Sequence, residues 1–416
     1  MKYALFAVLL GLTIFASVIS SAPLCPDGQL YADKKCAALP EVKLPEEKAE
    51  PLTNEEIKLP LETLAKKFAP CMTFAGPDIW PVDVSYLWSK GAHLKRVKVN
   101  PKGKILEEQT VVQSSRLGKI NLMNVLVTKN DDENVQYSVD GPGDNTGPGK
   151  DEATWMTEWR ELQKNTNVPS KAPYPPLVYV HFYWFNKAED ILVIQYWFYY
   201  PYDKWVNNHE GDWEHINVLL KLKGKSQKEK LDAAKDNQET VLYHFNFHGF
   251  SVDAFNEVTR IGDDANGDHV VVFVGGEGSS IWSPGWTGLY SGGSYPAAGK
   301  YYIAGFTDDT TRPARFLHAK DINVTMLYEL AQMDFDKTPQ LSWAPLNFCA
   351  GQPVVEKNHP VVAKASGYQG CPSQPYRKGS WSKGFTGSEW VKNKESSMTN
   401  IAFPENWKII YSPVIK

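Results

Sequence analysis

The chain has 416 residues, of which 42% are hydrophobic and 12% aromatic, so it can bury a large core and is not a chain disordered over most of its length. Its formal net charge is only −4 at pH 7. Basic and acidic residues are interspersed rather than clustered, which argues against a nucleic-acid partner.

The N terminus has the pattern of a secretory signal peptide, which we place at residues 1–21. Lys2 precedes an apolar run from Tyr3 to Ile19, and small residues follow that run. An uncleaved membrane anchor is the alternative, although the run is slightly short for a membrane span. We therefore expect a protein of the secretory pathway that is secreted or enters the vacuolar or lysosomal lumen.

Residues 22–60 are rich in Pro, Lys and Glu and predict a flexible leader before one large β-rich domain at 61–416. Clusters of β-branched and aromatic residues predict strands at 109–113, 123–128, 177–185, 190–200, 216–222, 241–247 and 269–274. Apolar spacing or charge density predicts helices at 61–68, 151–164, 226–236 and 319–333, with a surface insertion as the alternative for 226–236. The fold class is mainly β, a β-sandwich or jelly-roll-like core with inserted helices and long loops.

Two further features fit secretion. The five cysteines agree with an oxidising compartment, although their connectivity stays open. The sequon Asn323-Val324-Thr325 predicts a glycoprotein if the secretory pathway is eukaryotic.

The acidic and aromatic segment at 209–215 is the strongest candidate for a functional site. Simple strand alternation places three carboxylates on one face: Glu210, Asp212 and Glu214. The opposite face has His209, Trp213 and His215. Adjacent carboxylates repel one another unless a cation neutralises them. A solvated acidic turn is the alternative, against which the Trp and the hydrophobic flank argue.

The string His-Glu-Gly-Asp-Trp-Glu at 209–214, after a Trp-Phe-Tyr-Tyr-Pro strand, resembles the signature of the Vps62-related (vacuolar protein sorting-associated protein 62) family. It is also similar to the Gly-His-Arg-His-Asp-Trp-Glu heptapeptide of the Nep1-like necrosis-inducing proteins. The second resemblance implies four ligands for a divalent cation: Asp203, His209, Asp212 and Glu214. Glu210 and Gly211 replace the Arg and the second His of the heptapeptide. Because that second His is implicated in membrane damage, the resemblance implies cation binding more directly than toxicity.

Ligand chemistry narrows the choice of ion. Three carboxylates and one imidazole form a mostly hard site, suited to Ca²⁺ or Mg²⁺ rather than Zn²⁺, with Mn²⁺ also compatible. An ion with exchangeable waters could bind a polar lipid head group or a glycan and bring the protein into peripheral contact with a membrane. His209 joins the carboxylates only if the chain turns before Gly211, so we expect a bent loop that enters a strand.

Further side chains are predicted to contact the ligand or to orient the cation ligands: Glu210, Trp213, His215, His244 and His248. Strand alternation places His244 and His248 on one face, but ordinary strand histidines bonded to their neighbours would show the same pattern.

Three functions fit these residues. The first is a Vps62-like binding protein with a divalent-cation site, linked by resemblance to vacuolar protein sorting. The second is a Nep1-like cytolysin that damages membranes. The third is a metal-dependent hydrolase, in which Glu210 or His215 would act as general base. A protein that is not an enzyme is favoured over the hydrolase.

Overall fold

Strands form most of the regular structure in this computed structural model, a β-rich, sandwich-like fold as the sequence predicts. The structure describes residues 29–32, 35–38, 48–58, 61–75, 79–99, 105–125, 135–143, 154–204, 209–233, 238–247, 250–254, 258, 260–261, 269–276, 278–280, 287–303, 306–311, 313–344 and 348–350. The strands are β1 Gln29–Ala32, β2 Lys35–Ala38, β3 Glu50–Pro51, β4 Cys71–Ala75, β5 His93–Val99, β6 Ile105–Val112, β7 Val135–Asp140, β8 Leu177–Asn186, β9 Ile191–Asp203, β10 His209–Leu222, β11 Gln238–Phe247, β12 Phe250–Ala254, β13 Arg260–Ile261, β14 His269–Val274, β15 Gly278–Ser280, β16 Thr287–Leu289, β17 Ser294–Tyr295, β18 Lys300–Ile303, β19 Phe306–Asp309, β20 Pro313–Leu317, β21 Asn323–Met326 and β22 Phe348–Ala350.

The described helices are short. The α-helices are α1 Leu61–Lys67, α2 Ser85–Ser89, α3 Thr154–Lys164 and α4 Gln227–Asp232. Single 3₁₀ turns occupy Glu56–Lys58, Ser114–Arg116, Leu122–Asn124, Pro169–Lys171, Lys187–Glu189, Ala319–Asp321, Leu330–Gln332 and Pro339–Leu341. Among the described residues, no helix has the length and apolar character needed to cross a membrane.

The larger sheet has seven strands in the order β12-β11-β10-β9-β8-β21, with β3 also paired to β8. Strands β8 to β12 are antiparallel to their neighbours, and β21 runs parallel to β8. All 13 residues of β9 are buried, which explains why its sequence is an unbroken aromatic and aliphatic run. The long hairpin of β9 and β10 forms the centre of this sheet.

A second sheet contains β13, β14, β4 and β20, with β17 paired to β14. It contacts the larger sheet where Gly292, just before β17, lies against the ring of Tyr200 in β9. Smaller sheets are built from β16-β15-β19-β18, from β22-β7-β5-β6 and from β1-β2. The end of the β9–β10 hairpin therefore lies close to the loop that leads into the second sheet.

Several elements have the predicted type and place. The predicted strands at 177–185, 190–200, 216–222, 241–247 and 269–274 fall within or largely overlap β8, β9, β10, β11 and β14, and the segment 109–113 overlaps β6. The predicted helices at 61–68, 151–164 and 226–236 overlap α1, α3 and α4. Strong local patterns bounded by Gly, Pro, Asn or Asp account for this agreement.

Two predicted elements were wrong. The helix expected at 319–333 is a 3₁₀ turn followed by β21, because β-branched Val324 and Thr325 pair with the first residues of β8. The strand expected at 123–128 begins instead with a 3₁₀ turn at Leu122–Asn124, where the Asn121 side chain accepts a hydrogen bond from the Met123 N–H. The rest of that segment, 126–128, lies outside the described residues.

The end of the predicted leader belongs to the folded part. Pro51 pairs with Tyr183 of β8, and the Lys187 Nζ lies 3.1 Å from Glu56 Oε1. Residues 48–58 therefore pack on the edge of the larger sheet rather than forming a flexible segment up to residue 60. The predicted signal peptide, 1–21, lies outside the described residues.

Candidate cation site

Two of the four predicted cation ligands meet at the open end of the β9–β10 hairpin. Asp203 ends β9, His209 begins β10, and the two residues are paired in register. The Nε2 atom of His209 lies 3.2 Å from Oδ2 of Asp203. Their exposed fractions are only 5% for Asp203 and 6% for His209. The hairpin itself therefore brings this acid and this imidazole together.

Gly211 interrupts the alternation of β10. Its φ of 62° is in the left-handed region, which glycine adopts without a Cβ clash. By the register of the flanking pairs it lies opposite Pro201, which has no N–H for the ladder. The expected bend is thus found at Gly211 inside the strand, rather than in a loop before it. In a regular strand His209 and Asp212 would lie on opposite faces. An interruption between them is therefore needed if their side chains are to share one face.

Glu210 has a different environment from the one that simple alternation predicts. Its Oε2 accepts a hydrogen bond of 2.8 Å from the backbone N–H of Gly141. Burial raises the pKa of Tyr199, and the charge of Glu210 raises it further. Trp213 also packs against Tyr199, with ring centroids 4.9 Å apart. Glu210 is therefore turned toward Gly141 and Tyr199 and anchors the turn after β7.

The negative charges of Asp212 and Glu214 both act on the buried phenol of Tyr200. Each carboxylate residue is 9% exposed, and Tyr200 is 1% exposed. Burial raises the pKa of Tyr200, and the negative charges of Glu214 and Asp212 raise it further. Asp212 Oδ1 also accepts a hydrogen bond of 2.9 Å from the Trp213 N–H. These two predicted ligands therefore lie on the side of the strand that faces Tyr200.

Sequence reasoning missed Asp308 in β19. Asp308 is fully buried, and its Oδ2 accepts hydrogen bonds from Ser291 Oγ at 2.6 Å and from the Tyr295 hydroxyl at 2.8 Å. Burial raises the pKa of Tyr295, the charge of Asp308 raises it further, and Glu214 adds to the effect. Only the fold brings Asp308 to Ser291 and Tyr295, because no motif connects these residues in sequence.

Trp213 and His215, which are predicted to contact the bound molecule or to orient the cation ligands, lie in an aromatic layer. Trp213 is 1% exposed and stacks on Trp343 with ring centroids 5.4 Å apart. His215 stacks on Trp197 with ring centroids 4.2 Å apart. Both side chains pack within the fold rather than lining an open surface. They can support the hairpin end but do not present their rings to a ligand from solvent.

His244 belongs to a polar row that crosses the larger sheet. The row consists of paired residues on β8, β9, β10 and β11: His181, Gln195, Asn217 and His244. All four are at most 1% exposed. Gln195 Oε1 accepts a hydrogen bond of 2.7 Å from Trp197 Nε1, and His181 Nε2 lies 2.9 Å from Glu329 Oε1. His244 thus contributes to the sheet interior, and His248 lies outside the described residues.

The four predicted ligands are not gathered around one point. Within the described part of the chain, no group of three or more His, Cys, Asp or Glu side chains is placed to hold a metal ion. The donor set itself is carboxylate-rich and carries one imidazole, which suits a hard cation. Binding of an ion would therefore require the side chains of Asp212 and Glu214 to move toward the Asp203–His209 pair.

Comparisons with known proteins give structural neighbours only. No protein-family model and no curated protein sequence matches this chain. The structural neighbours are Nep1-like necrosis-inducing proteins. One, the "non-toxic HaNLP3 protein", is 14% identical, with 78% of this chain and 96% of that chain covered and a TM-score of 0.30.

Another neighbour is described as a "Toxin fold as basis for microbial attack and plant defense". It is 14% identical, with 73% of this chain and 90% of that chain covered and a TM-score of 0.29. A third is "NLPPya in complex with mannosamine", which is 13% identical, with 73% of this chain and 89% of that chain covered and a TM-score of 0.26. Because each TM-score is below 0.5, these neighbours carry no argument about function, which must rest on the side chains of this chain.

Proposed function

We propose that this protein binds a divalent cation, Ca²⁺ or Mg²⁺, at the end of the β9–β10 hairpin and uses the ion to hold a polar head group or a glycan. The contact of His209 Nε2 with Asp203 Oδ2, at 3.2 Å, is the observation that carries this proposal. Two more buried carboxylates, those of Asp212 and Glu214, follow in the same strand.

Electrostatics supports a cation at this position. Several buried carboxylates on two paired strands create a negative potential, which attracts a cation. Asp203, Asp212 and Glu214 are each at most 9% exposed. A divalent ion would neutralise two of these charges and favour movement of the carboxylates toward it. Oxygen donors with one imidazole favour Ca²⁺ or Mg²⁺ over Zn²⁺, and Mn²⁺ is the third ion to test.

Binding is better supported than hydrolysis. The hydrolase alternative needs Glu210 or His215 as a general base, which must reach the proton it abstracts. Glu210 is 1% exposed and bonded to the Gly141 N–H, and His215 is stacked on Trp197. Both side chains already have structural contacts inside the fold.

The cellular role follows from resemblance alone. A Vps62-like function would place the protein in vacuolar protein sorting, with secretion or a vacuolar location directed by residues 1–21. Asn323 is exposed at the start of β21, so the sequon is accessible to glycosylation. The alternative is a Nep1-like protein that damages membranes. Release of dye from lipid vesicles distinguishes it from a binding protein, which should release none.

Thermal unfolding tests the cation site directly. The full chain, freed of metal by a chelator, is heated with and without Ca²⁺, Mg²⁺ or Mn²⁺. At a cation concentration 100 times Kd, binding stabilises the native state by about 2.7 kcal/mol, which raises Tm by about 3 °C in a protein of this size. Asp212→Asn should abolish this rise, because the amide keeps the acceptor for the Trp213 N–H but removes the charge.

Asp334→Asn is the matched control, since Asp334 is exposed, pairs with Lys337 at 2.7 Å and lies outside the β9–β10 hairpin. It should keep the wild-type response to cations. A wild-type protein whose Tm is unchanged by all three ions would refute the proposal. Release of vesicle dye would favour the cytolysin, and cation-dependent turnover lost in Glu210→Gln would favour the hydrolase.

A further inference from the structure

We propose that the phenol hydroxyl of Tyr200 is a binding residue of the cation site, where it accepts a hydrogen bond from a water molecule bound to the ion. The inference rests on the proposed cation site and adds to it a residue of β9 that lies outside the predicted ligand set. When the phenol oxygen accepts from this water, its own proton can donate to an oxygen of the bound head group or glycan.

The register of the β9–β10 hairpin places Tyr200 beside two carboxylates. Tyr200 is paired directly with Asp212, and Phe198, two residues before Tyr200, is paired with Glu214. Residues opposite each other in antiparallel strands share one face of the sheet, with Cβ atoms about 4.5–5.5 Å apart. Burial raises the pKa of Tyr200, and the charges of Glu214 and Asp212 raise it further, in agreement with this placement. The phenol therefore lies on the same face as both carboxylates.

Gly292 holds the ring of Tyr200 in place. A Cβ added to Gly292 would lie 2.6 Å from Cδ2 and 2.7 Å from Cε2 of the ring, so the glycine backbone packs directly against one edge of the ring. Tyr200 as a whole is only 1% exposed. A ring enclosed in this way keeps its hydroxyl at one position, so little further side-chain freedom is lost when a ligand binds.

The hydroxyl of Tyr200 is buried, and it has no hydrogen-bond partner among the residues that the structure describes. Tyr196, four residues earlier in β9 and on the same face, shows the ordinary arrangement, because its hydroxyl donates to the Ala65 carbonyl at 2.7 Å. A buried hydroxyl that stays unpaired is costly, and water or a ligand usually satisfies such a group. The phenol of Tyr200 therefore points to a bound polar group beside it.

An ion held by the neighbouring carboxylates would bring that polar group. Asp212 Oδ1 accepts from the Trp213 N–H at 2.9 Å rather than from the phenol opposite. Ca²⁺ and Mg²⁺ complete their coordination with water where protein ligands are few. A bound cation polarises its water, which makes that water a strong hydrogen-bond donor. Such a water would satisfy the Tyr200 oxygen and connect the ring to the ion.

Calorimetric titration of the full metal-free chain with Ca²⁺ and with Mg²⁺ tests this role. Tyr200→Phe keeps the ring and its contact with Gly292 and removes only the hydroxyl. We expect it to raise Kd about 3- to 10-fold, which corresponds to the loss of one hydrogen bond.

Tyr196→Phe is the matched control, because it removes a hydroxyl from the same strand and the same face. It leaves the Ala65 carbonyl without its donor, so it should lower the urea midpoint of the metal-free protein and keep the wild-type Kd. Tyr200→Phe should do the opposite: it should keep or raise the urea midpoint and weaken cation binding. A purely structural role of Tyr200 would not give this combination.

A second measurement does not depend on the folding of the variant. Addition of the cation should change the near-ultraviolet absorption of tyrosine in the wild type, and Tyr196→Phe should keep this change while Tyr200→Phe reduces it. A wild-type protein that binds the cation without any change in tyrosine absorption would count against the proposal.

The remaining outcomes are distinguishable. A wild-type Kd in folded Tyr200→Phe, or a lower urea midpoint of this variant without metal, overturns the role of Tyr200 and leaves the cation site standing. A wild-type protein that binds neither ion overturns both.

Discussion

Replacement of Gly292 by alanine should strongly destabilise the fold, because this residue lies against the ring of Tyr200. Its φ of 69° is left-handed, and a Cβ there would lie 2.6 Å from Tyr200 Cδ2 and 2.7 Å from Cε2. These distances are well inside ordinary contact. Tyr200 is 1% exposed, so its ring has little room to retreat.

Two contributions set the size of the effect. A left-handed alanine costs about 1–2 kcal/mol. Overpacking of a buried ring costs about a further 1–3 kcal/mol. Gly292→Ala should therefore lose about 2–5 kcal/mol of unfolding free energy.

Gly91 provides a matched control. It also has a positive φ, 96°, but a Cβ there would meet Pro142 Cγ at 3.5 Å, an ordinary contact. Gly91→Ala should therefore lose only the strain of about 1–2 kcal/mol. Urea unfolding of the two variants beside the wild type measures the difference.

A double-mutant cycle tests the cause. In a Tyr200→Leu background the ring is absent, so Gly292→Ala should cost only about as much as Gly91→Ala, which reveals a coupling of about 1–3 kcal/mol. Equal losses for the two alanine variants in the wild-type background would refute the claim that the ring of Tyr200 is packed against Gly292.

Two more predictions concern β10 and the edge of the larger sheet. Gly211→Ala should lose about 1–2 kcal/mol of stability and also the rise of Tm with cations, since a regular strand would turn His209 away from Asp212; a retained rise would contradict this. Burial acts to raise the pKa of Glu56, but hydrogen bonds from Thr53 and Lys187 outweigh it and lower the pKa. The ionised carboxylate of Glu56 therefore stabilises the fold above its unfolded pKa, and this stabilisation is lost as pH falls through its lower folded pKa. Glu56→Gln should reduce the unfolding free energy by about 1–2 kcal/mol at pH 7 and by much less near pH 3, as measured by urea unfolding. An equal cost at both pH values would count against the ionised form of Glu56 as the stabilising one.

The sequence predicted the elements whose patterns are local and strong. The apolar run at 269–274 coincides with β14, and the dense aromatic run at 177–185 lies within β8. Short strands such as β4 Cys71–Ala75 escaped prediction, because their partners are distant in the chain and five residues carry little periodicity. The segment at 319–333 has helical spacing, but pairing with β8 decides its structure.

The geometry of the motif was predicted in part. The resemblance to the Nep1-like proteins implies that Asp203 and His209 share a site, and the structure places the two side chains in contact. It misassigns the face of Glu210, because a left-handed glycine within a strand leaves no trace in simple alternation. Asp308 could not be found from sequence, since its proximity to Tyr295 is a tertiary contact. Whether the four residues bind an ion stays a prediction, which thermal unfolding with and without cations tests.

The pairing of β4 has a consequence for the order in which the chain folds. Cys71 in β4 is matched with Val271 in β14, and Leu317 in β20 is matched with Met72, so the second sheet joins distant parts of the chain. The hairpins of β8 to β11 need only neighbouring residues and close at lower entropic cost. During synthesis β4 leaves the ribosome long before either partner, so its apolar residues stay unpaired until β14 has been made, and its second edge stays unpaired until the chain has passed Leu317. We expect this waiting period to be the aggregation-prone stage of folding and the slow phase of refolding.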